Sequence, residues 1–358
     1  MDETITNWME RHHVPGLAAC IAREDQIVWS RGYGMANLSK GIPFSPDRSL
    51  FPIASITKTI TATAVMQLRD RGYFTLDDDV NRFIGINIRN PGHPDVPITF
   101  RHLLTHTSSL KDDDVLYSLY AAGDPTRSLG DVIAEYFRPG GSLWSRKIYS
   151  KQQPGTRERY SNAGFALLGH LVEQVSNKPL EDYLQQNIFS VIGMDETSFY
   201  IGKLDLEKQA RAYTYAKKLR RQLVPGDGDG NLLPEGVTPK IGYNEHELYS
   251  YPTLADGMIR TSVNQLARFM IAMMNEGRFS GVQLLGKETV KEMLPKSGPG
   301  LAWFRRGPYW GHDGGDPGCT TEMQFNPRTR TGYIIFANAD VDLKKMVSHI
   351  EQAAEIMA

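Results

Sequence analysis

Apolar residues recur every fourth position at Ile56, Ile60, Ala64 and Leu68, and the run stops at Gly72. This spacing predicts a helix closed by a C-terminal glycine. The segment is rich in Thr and Ile, mediocre helix formers, so burial has to hold it and it is expected to be central. Ser55 stands at its start, behind Pro52. A short helix is expected over 4–12, followed by two β-rich runs, 17–23 and 27–29, joined as a hairpin by the polar Glu24-Asp25-Gln26. Further helices fit 100–105 behind a Thr99 cap, 163–175 and 263–275. Residues 213–252 are polar and glycine-rich and predict no clear element. Near the end, 322–325 and 332–338 flank the turn Asn326-Pro327-Arg328, and an amphipathic helix is expected over 343–356. Strands at both ends and helices between them predict an α/β (α+β) chain. A domain built from both termini (1–50 and 296–358) would hold a mostly helical domain (51–295) that carries Ser55 at the interface.

Composition narrows the partners. A chain of 358 residues is long enough for about two such units and a deep cleft. Hydrophobic residues make up 41% and charged ones 23%, which argues against disorder or a fibrous repeat. With 40 basic and 41 acidic residues, the net charge of -1 gives no footprint for nucleic acid or an anionic membrane. Cys20 and Cys319 are too few for a disulfide framework and are expected to be free. No run of about 18 apolar residues predicts a membrane span, and the start lacks a basic stretch followed by an apolar one. As it stands the chain reads as soluble. Its compartment is left open between the cytoplasm and export after loss of a signal.

Three short patterns carry chemistry. A serine hydroxyl is a weak nucleophile until a base takes its proton, and Ser55-Ile56-Thr57-Lys58 puts an amine one helical turn away. The helix start would add N–H donors and a positive dipole end beside Ser55. Next, Tyr160-Ser161-Asn162 precedes an apolar helix. A tyrosine near a cation can serve as a proton carrier, and an asparagine amide can hold both lysine and substrate. Finally, Gly311-His312-Asp313-Gly314-Gly315 would let substrate approach the backbone closely, its N–H groups completing an oxyanion hole with Ser55. Taken singly, these fit an exposed helix start, a buried phenol with a satisfied hydroxyl and a glycine-rich hairpin turn. All three in this order are a far rarer event.

Together they resemble the active-site motifs of the penicillin-recognising serine enzymes, most similar to class C β-lactamases and DD-peptidases. The likeness extends to Val14-Pro15-Gly16, Leu103-Leu104-Thr105-His106-Thr107-Ser108, Gln153-Pro154-Gly155, Gly193-Met194 and Ala255-Asp256-Gly257-Met258, stretches found in the wider group of β-lactamase-related esterases and D-aminopeptidases. The resemblance implies a central antiparallel sheet flanked by terminal helices. It implies catalytic roles for Ser55 as nucleophile and for Lys58 and Tyr160 as proton carriers. Asn162, His312, Gly314 and Gly315 would bind substrate, with the N–H groups of Ser55 and Gly315 as oxyanion donors. No metal or organic cofactor is implied. The expected partner is a small ester, amide or peptide, handled through an acyl-enzyme by a serine hydrolase of carboxylesterase or D-amino-acid peptidase type, with weak β-lactamase activity as a further expectation. The alternatives are an acyltransferase of the same fold and a non-turnover penicillin- or peptidoglycan-sensing module. His312 departs from the usual lysine of Lys-Thr-Gly. An imidazole is only partly charged near neutrality, which predicts weaker recognition of substrate carboxylates. Asp313 replaces a small hydroxyl residue and would repel anionic substrates if it faced the cleft.

Other patterns lead elsewhere. Residues 281–287 nearly spell a phosphate-binding loop, but Glu288 stands where Ser or Thr must ligate magnesium. His102 and His106 sit four apart with Leu103 in place of a catalytic glutamate, which reads as structural. Asp227-Gly228-Asp229-Gly230 lacks the later ligands of a calcium loop, and no Gly-x-Ser-x-Gly elbow occurs. The aromatic and basic run 303–310 fits either a pocket wall or a packed strand edge.

Overall fold

The computed structural model describes residues 1–217 and 241–356. Its centre is a seven-stranded antiparallel sheet. In chain order the strands are β1 (Gly16–Arg23), β2 (Gln26–Asn37), β3 (Ile42–Pro43), β4 (Phe304–Arg306), β5 (Tyr309–Asp316), β6 (Cys319–Asn326) and β7 (Thr331–Ala337). Across the sheet they run β4-β5-β6-β7-β1-β2-β3, so β1 and β7, from opposite ends of the chain, are direct neighbours at the centre. Helices α1 (Asp2–His12), α2 (Thr57–Asp70), α3 (Asn162–Ser176), α4 (Val263–Met274) and α5 (Lys344–Ile356) complete the frame.

Strand parity divides the core in two. Leu17, Ala19 and Ile21 of β1, with Tyr333, Ile335 and Ala337 of β7, pack under α1 and α5. Ala18, Cys20 and Ala22, with Ile334 and Phe336, face the other way, into the larger cluster that contains α2, α3 and α4. β1 is buried on both faces, which explains its unbroken small and apolar run. The predicted hairpin is present but longer: β2 continues to Asn37. Its interior glycines and half-exposed alternation obscured that length in the pattern.

α2 is buried along almost its whole length, from Thr57 to Leu68. A helix buried all round can carry polar groups only if they are satisfied. The Thr59 hydroxyl donates to the Ile56 carbonyl, Thr63 to Thr59, and Thr61 reaches across to the carbonyl of Ala255. The expected Thr99 cap is present, accepting from the His102 N–H at 3.2 Å, and α3 and α4 carry serine caps of their own, Ser161 and Ser262. Within 213–252 the described residues form short strands, Tyr213–Ala216, Gly242–Glu245 and Tyr249–Ser250. The acidic run 227–230 lies outside the described residues. Among the described residues, no helix is long and apolar enough to cross a membrane.

Candidate active site

Ser55 sits in a single 3-10 turn, Ala54–Ile56, that precedes α2 rather than in the helix itself. Ala54 is held there at a φ of 46°, a left-handed conformation that costs a non-glycine residue on the order of 1–2 kcal/mol. The turn is fixed by its neighbours: the Ile53 N–H donates to the Ile259 carbonyl, and the Thr321 hydroxyl of β6 donates to the Ile53 carbonyl at 2.9 Å. Lys58, in the first turn of α2, is fully buried. Its Nζ donates to Ser55 Oγ at 2.9 Å and to the backbone carbonyl of Asp256 at 2.6 Å. Among the described residues it forms no ion pair, and its remaining surroundings are rings, with Nζ 4.9 Å from the centroid of Tyr160 and 5.9 Å from that of Phe165.

Tyr160, the residue before the Ser161 cap of α3, presents its ring to this amine and is itself 40% exposed. Its hydroxyl makes no hydrogen bond to Ser55 or Lys58, so the two are linked here through the ring face. The ring is also stacked on His106 at 4.4 Å. His106 is buried, and its Nδ1 accepts from the Ser161 N–H, so the proton belongs on Nε2. Burial, with repulsion from Lys58, pushes His106 well below the usual imidazole range. His106 thus backs the tyrosine ring, while the Gly155 N–H donates to the Thr107 carbonyl and a Cβ at Gly155 would meet the His102 ring.

His312 lies on β5 with only 2% of its surface exposed. Its Nδ1 stands 2.5 Å from the Asp313 carbonyl, which can only accept, so Nε2 carries the lone pair. Burial, with repulsion from Lys58, drives its pKa down to about 4. The partly charged imidazole expected at this position is therefore neutral at pH 7.

The glycine run is not a loop but the end of β5. β4 pairs only with Tyr309, Trp310 and Gly311, so from His312 onward the outer edge of β5 has no neighbouring strand among the described residues. Asp316 and Cys319 flank the two-residue turn Pro317-Gly318 and form its hydrogen-bonded pair; alternation then turns the Gly315 N–H outward along the open edge. The two glycines differ. A Cβ on Gly314 would lie 2.5 Å from the Ile53 carbonyl oxygen and 3.0 Å from the Ala54 Cβ, so its missing side chain is what lets the Ser55 turn rest on the strand. A Cβ on Gly315 would meet nothing within 4 Å.

Asp313 does not face the cleft. It lies opposite Glu322, on the face that Tyr309 shares with the terminal helices, whereas Gly314 lies opposite Thr321 on the face toward Ser55. The carboxylates beside the site are others, which motif reading did not assign. Asp256 is 5% exposed, and burial raises its pKa to about 7 against the attraction of Lys58. Asp316, likewise raised to about 7 by burial, accepts from the Tyr120 hydroxyl at 2.7 Å. Asp112 caps α3, accepting from the N–H groups of Asn162 and Ala163 and from the Ser161 hydroxyl. Asn162, thereby placed at the first position of α3, lines a cavity of about 20 Å³ with Asp112, Asp256, Tyr117 and Tyr120. A larger cleft of about 160 Å³ adjoins His106 and is walled by Trp303, Phe304 and Trp310, so the aromatic run 303–310 is both a strand edge and a pocket wall.

The remaining patterns serve the fold. Lys287 of the phosphate-loop-like stretch pairs with Glu276 at 2.7 Å. Among the described residues no three His, Cys, Asp or Glu side chains converge as a metal site. Cys20 and Cys319 are free and buried.

A model of the family described as Beta-lactamase matches residues 1–358. The chain is 26% identical over 364 residues to Penicillin-binding protein 4* of Bacillus subtilis, spanning 97% of this chain and 73% of that protein. It is 27% identical over 321 residues to Esterase EstB of Burkholderia gladioli, spanning 87% and 77%. It spans 65% of the length of Protein flp of Staphylococcus aureus, at 24% identity. Among solved structures, the penicillin binding protein from Bacillus halodurans superposes with a TM-score of 0.73 at 23% identity, covering 98% of each chain. The D-amino acid amidase from Ochrobactrum anthropi SV3 does so at 0.70 and 23%, covering 93% of this chain and 88% of that one. These likenesses in structure are likenesses of fold.

Proposed function

The chain belongs to the Beta-lactamase family, and on that premise we propose that it is a serine hydrolase that acylates Ser55 on a small ester or amide. The carrying observation is the 2.9 Å contact between Ser55 Oγ and the Nζ of a fully buried lysine. In its neutral form the Lys58 amine accepts the Ser55 proton through this same contact, and Oγ attacks the substrate carbonyl. The N–H of Ser55, within its 3-10 turn, and the outward N–H of Gly315 hold the developing oxyanion. The Tyr160 hydroxyl, in the open part of the site, hands a proton to the departing alcohol or amine and is reprotonated from Lys58. Water entering along the same path then releases the acyl group.

Two features bear on the substrate. Esterase EstB and the D-amino acid amidase, named for ester and amide substrates, support a carbonyl of either kind. The neutral His312 supplies no positive charge for the carboxylate that β-lactams carry, which disfavours them relative to uncharged substrates. The reading is tested by incubating the protein with an activated short-chain ester and locating the adduct by mass spectrometry. An acyl mass on the peptide containing Ser55 and loss of turnover in Ser55→Ala are expected. Full turnover in Ser55→Ala would overturn it, and an adduct that never turns over would favour a sensing module.

A further inference from the structure

Gly315 is exposed, and in the ladder it faces Thr320 as a non-hydrogen-bonded pair, so its N–H and carbonyl point away from β6. The direction of that N–H is therefore set by the residues on either side. Gly314 rests against Ile53 and Ala54 of the Ser55 turn. Asp316, two residues on and on the same face of β5, reaches Tyr120, whose hydroxyl donates to its Oδ1 at 2.7 Å. The donor thus sits between two anchors, one made by backbone packing and one by a side-chain hydrogen bond. Tyr120 comes from a distant part of the chain, between the 3-10 turn Asp114–Leu119 and the two-residue strand Ala121–Ala122, which pairs with Tyr249–Ser250. Its ring packs on Tyr251 at 4.3 Å and on Tyr249 at 5.8 Å. The Tyr249 hydroxyl donates to the Pro317 carbonyl at 3.1 Å, in the turn beyond Asp316. A Cβ on Gly257 would strike the Tyr251 hydroxyl, and Gly257 follows Asp256, whose carbonyl holds Lys58. One block of three tyrosines therefore touches both the turn beyond Gly315 and the turn that holds Lys58.

We propose that Tyr120 is a positioning residue for oxyanion stabilisation, holding the Gly315 N–H in register with that of Ser55 through Asp316. The proposal rests on Gly315 being an oxyanion donor. The competing role is purely structural, a phenol that satisfies a carboxylate. That role is poorly served, because Asp316 Oδ2 is buried with no hydrogen-bond partner among the described residues, and only the oxygen tied to Tyr120 is satisfied. What the bond supplies is geometry. It fixes the residue next to the donor, and a displacement of about 1 Å at a reacting centre costs on the order of a hundredfold in rate.

The test compares an activated ester with its thionoester, in which sulfur replaces the carbonyl oxygen and accepts hydrogen bonds weakly. An oxyanion hole favours the ester. In the unmodified protein the ratio of kcat/KM, ester over thionoester, is expected to exceed the ratio of their rates with hydroxide ion by at least about tenfold. Tyr120→Phe keeps the ring on Tyr249 and Tyr251, and in it the ratio should fall by about tenfold, the loss on the ester appearing in kcat rather than KM. Asp316→Ala should fall as far, and the double variant no further. Asp316→Asn, whose amide oxygen still accepts from Tyr120, should keep most of the ratio. Both substrates are read on one preparation, so any loss of folded protein cancels. A ratio unchanged in Tyr120→Phe would overturn the proposal and leave the oxyanion reading standing. An unmodified protein no more selective than hydroxide would overturn that reading and the proposal with it, while acylation of Ser55 is decided separately by its adduct.

Discussion

Lys58 Nζ bridges Ser55 Oγ, at 2.9 Å, and the carbonyl of Asp256, at 2.6 Å, joining the start of α2 to a turn 198 residues further along the chain. The bridge aims the amine, because two of its three donor directions are taken and rings occupy the rest. Replacing Lys58 by Ala removes the proton acceptor beside Ser55, and kcat should fall by roughly a hundredfold or more, the scale of a lost general base. Lys58→Arg should not rescue it, since a guanidinium holds its proton at any working pH. Steady-state kinetics on one activated ester decides, and undiminished kcat in Lys58→Ala would remove the lysine from the mechanism.

Tyr160→Phe separates the ring from the hydroxyl. The ring stacks on His106 and covers the Lys58 amine, and phenylalanine preserves both contacts. The expected result is a melting temperature close to that of the unmodified protein with kcat reduced by about a hundredfold. A variant that melts normally and turns over normally would leave Tyr160 as a packing surface for Lys58.

Gly314 and Gly315 are adjacent, yet they should respond differently to the same change. Gly314→Ala drives a Cβ against the Ile53 carbonyl and Ala54, neither of which can swing away as a long side chain would. Overpacking of this kind costs about 1–3 kcal/mol and displaces the turn that carries Ser55, so stability and kcat should fall together. Gly315→Ala meets nothing within 4 Å, and its unfolding midpoint should match the unmodified protein. Chemical denaturation of the two variants side by side measures the contrast.

The extent to which this was legible in the sequence depended on whether position followed from local pattern. α2 was readable because its apolar residues repeat at the helical period and its flanks carry a proline and a glycine. The 3-10 turn at Ser55 was not, because its geometry comes from packing: Gly314 brings β5 against Ile53 and Ala54, residues about 260 positions away in the chain. The same cause makes the glycine run a strand rather than the hairpin turn that glycines alone would suggest, since Gly311 and Gly314 sit where a Cβ would strike neighbouring backbone. Whether Asp313 faced the cleft was left open in the sequence, because its parity could not be set before the register with Glu322 was known. Asp256 was visible as a lone carboxylate within Leu254-Ala255-Asp256-Gly257-Met258-Ile259, an odd residue in an apolar run. Its place beside Lys58 is purely tertiary.

That carboxylate also leaves a mark on stability. Burial raises the Asp256 pKa from 3.8 to about 7, so between these values the folded protein keeps a proton that the unfolded chain has released. Stability attributable to this residue therefore falls as pH rises from about 4, and the full penalty is reached above pH 7; below pH 4 both states are protonated and there is none. Asn cannot ionise. Asp256→Asn should thus gain over the unmodified protein as pH rises, with an upper bound on the order of 4 kcal/mol at pH 8 and a smaller gain at pH 5. Asp316 and Glu322, also raised to about 7, and His312, lowered to about 4, titrate in both proteins and drop out of the difference to the extent that they act independently of Asp256. Urea midpoints at pH 5 and pH 8 supply the comparison. An equal gain at both values would mean that Asp256 does not titrate between them.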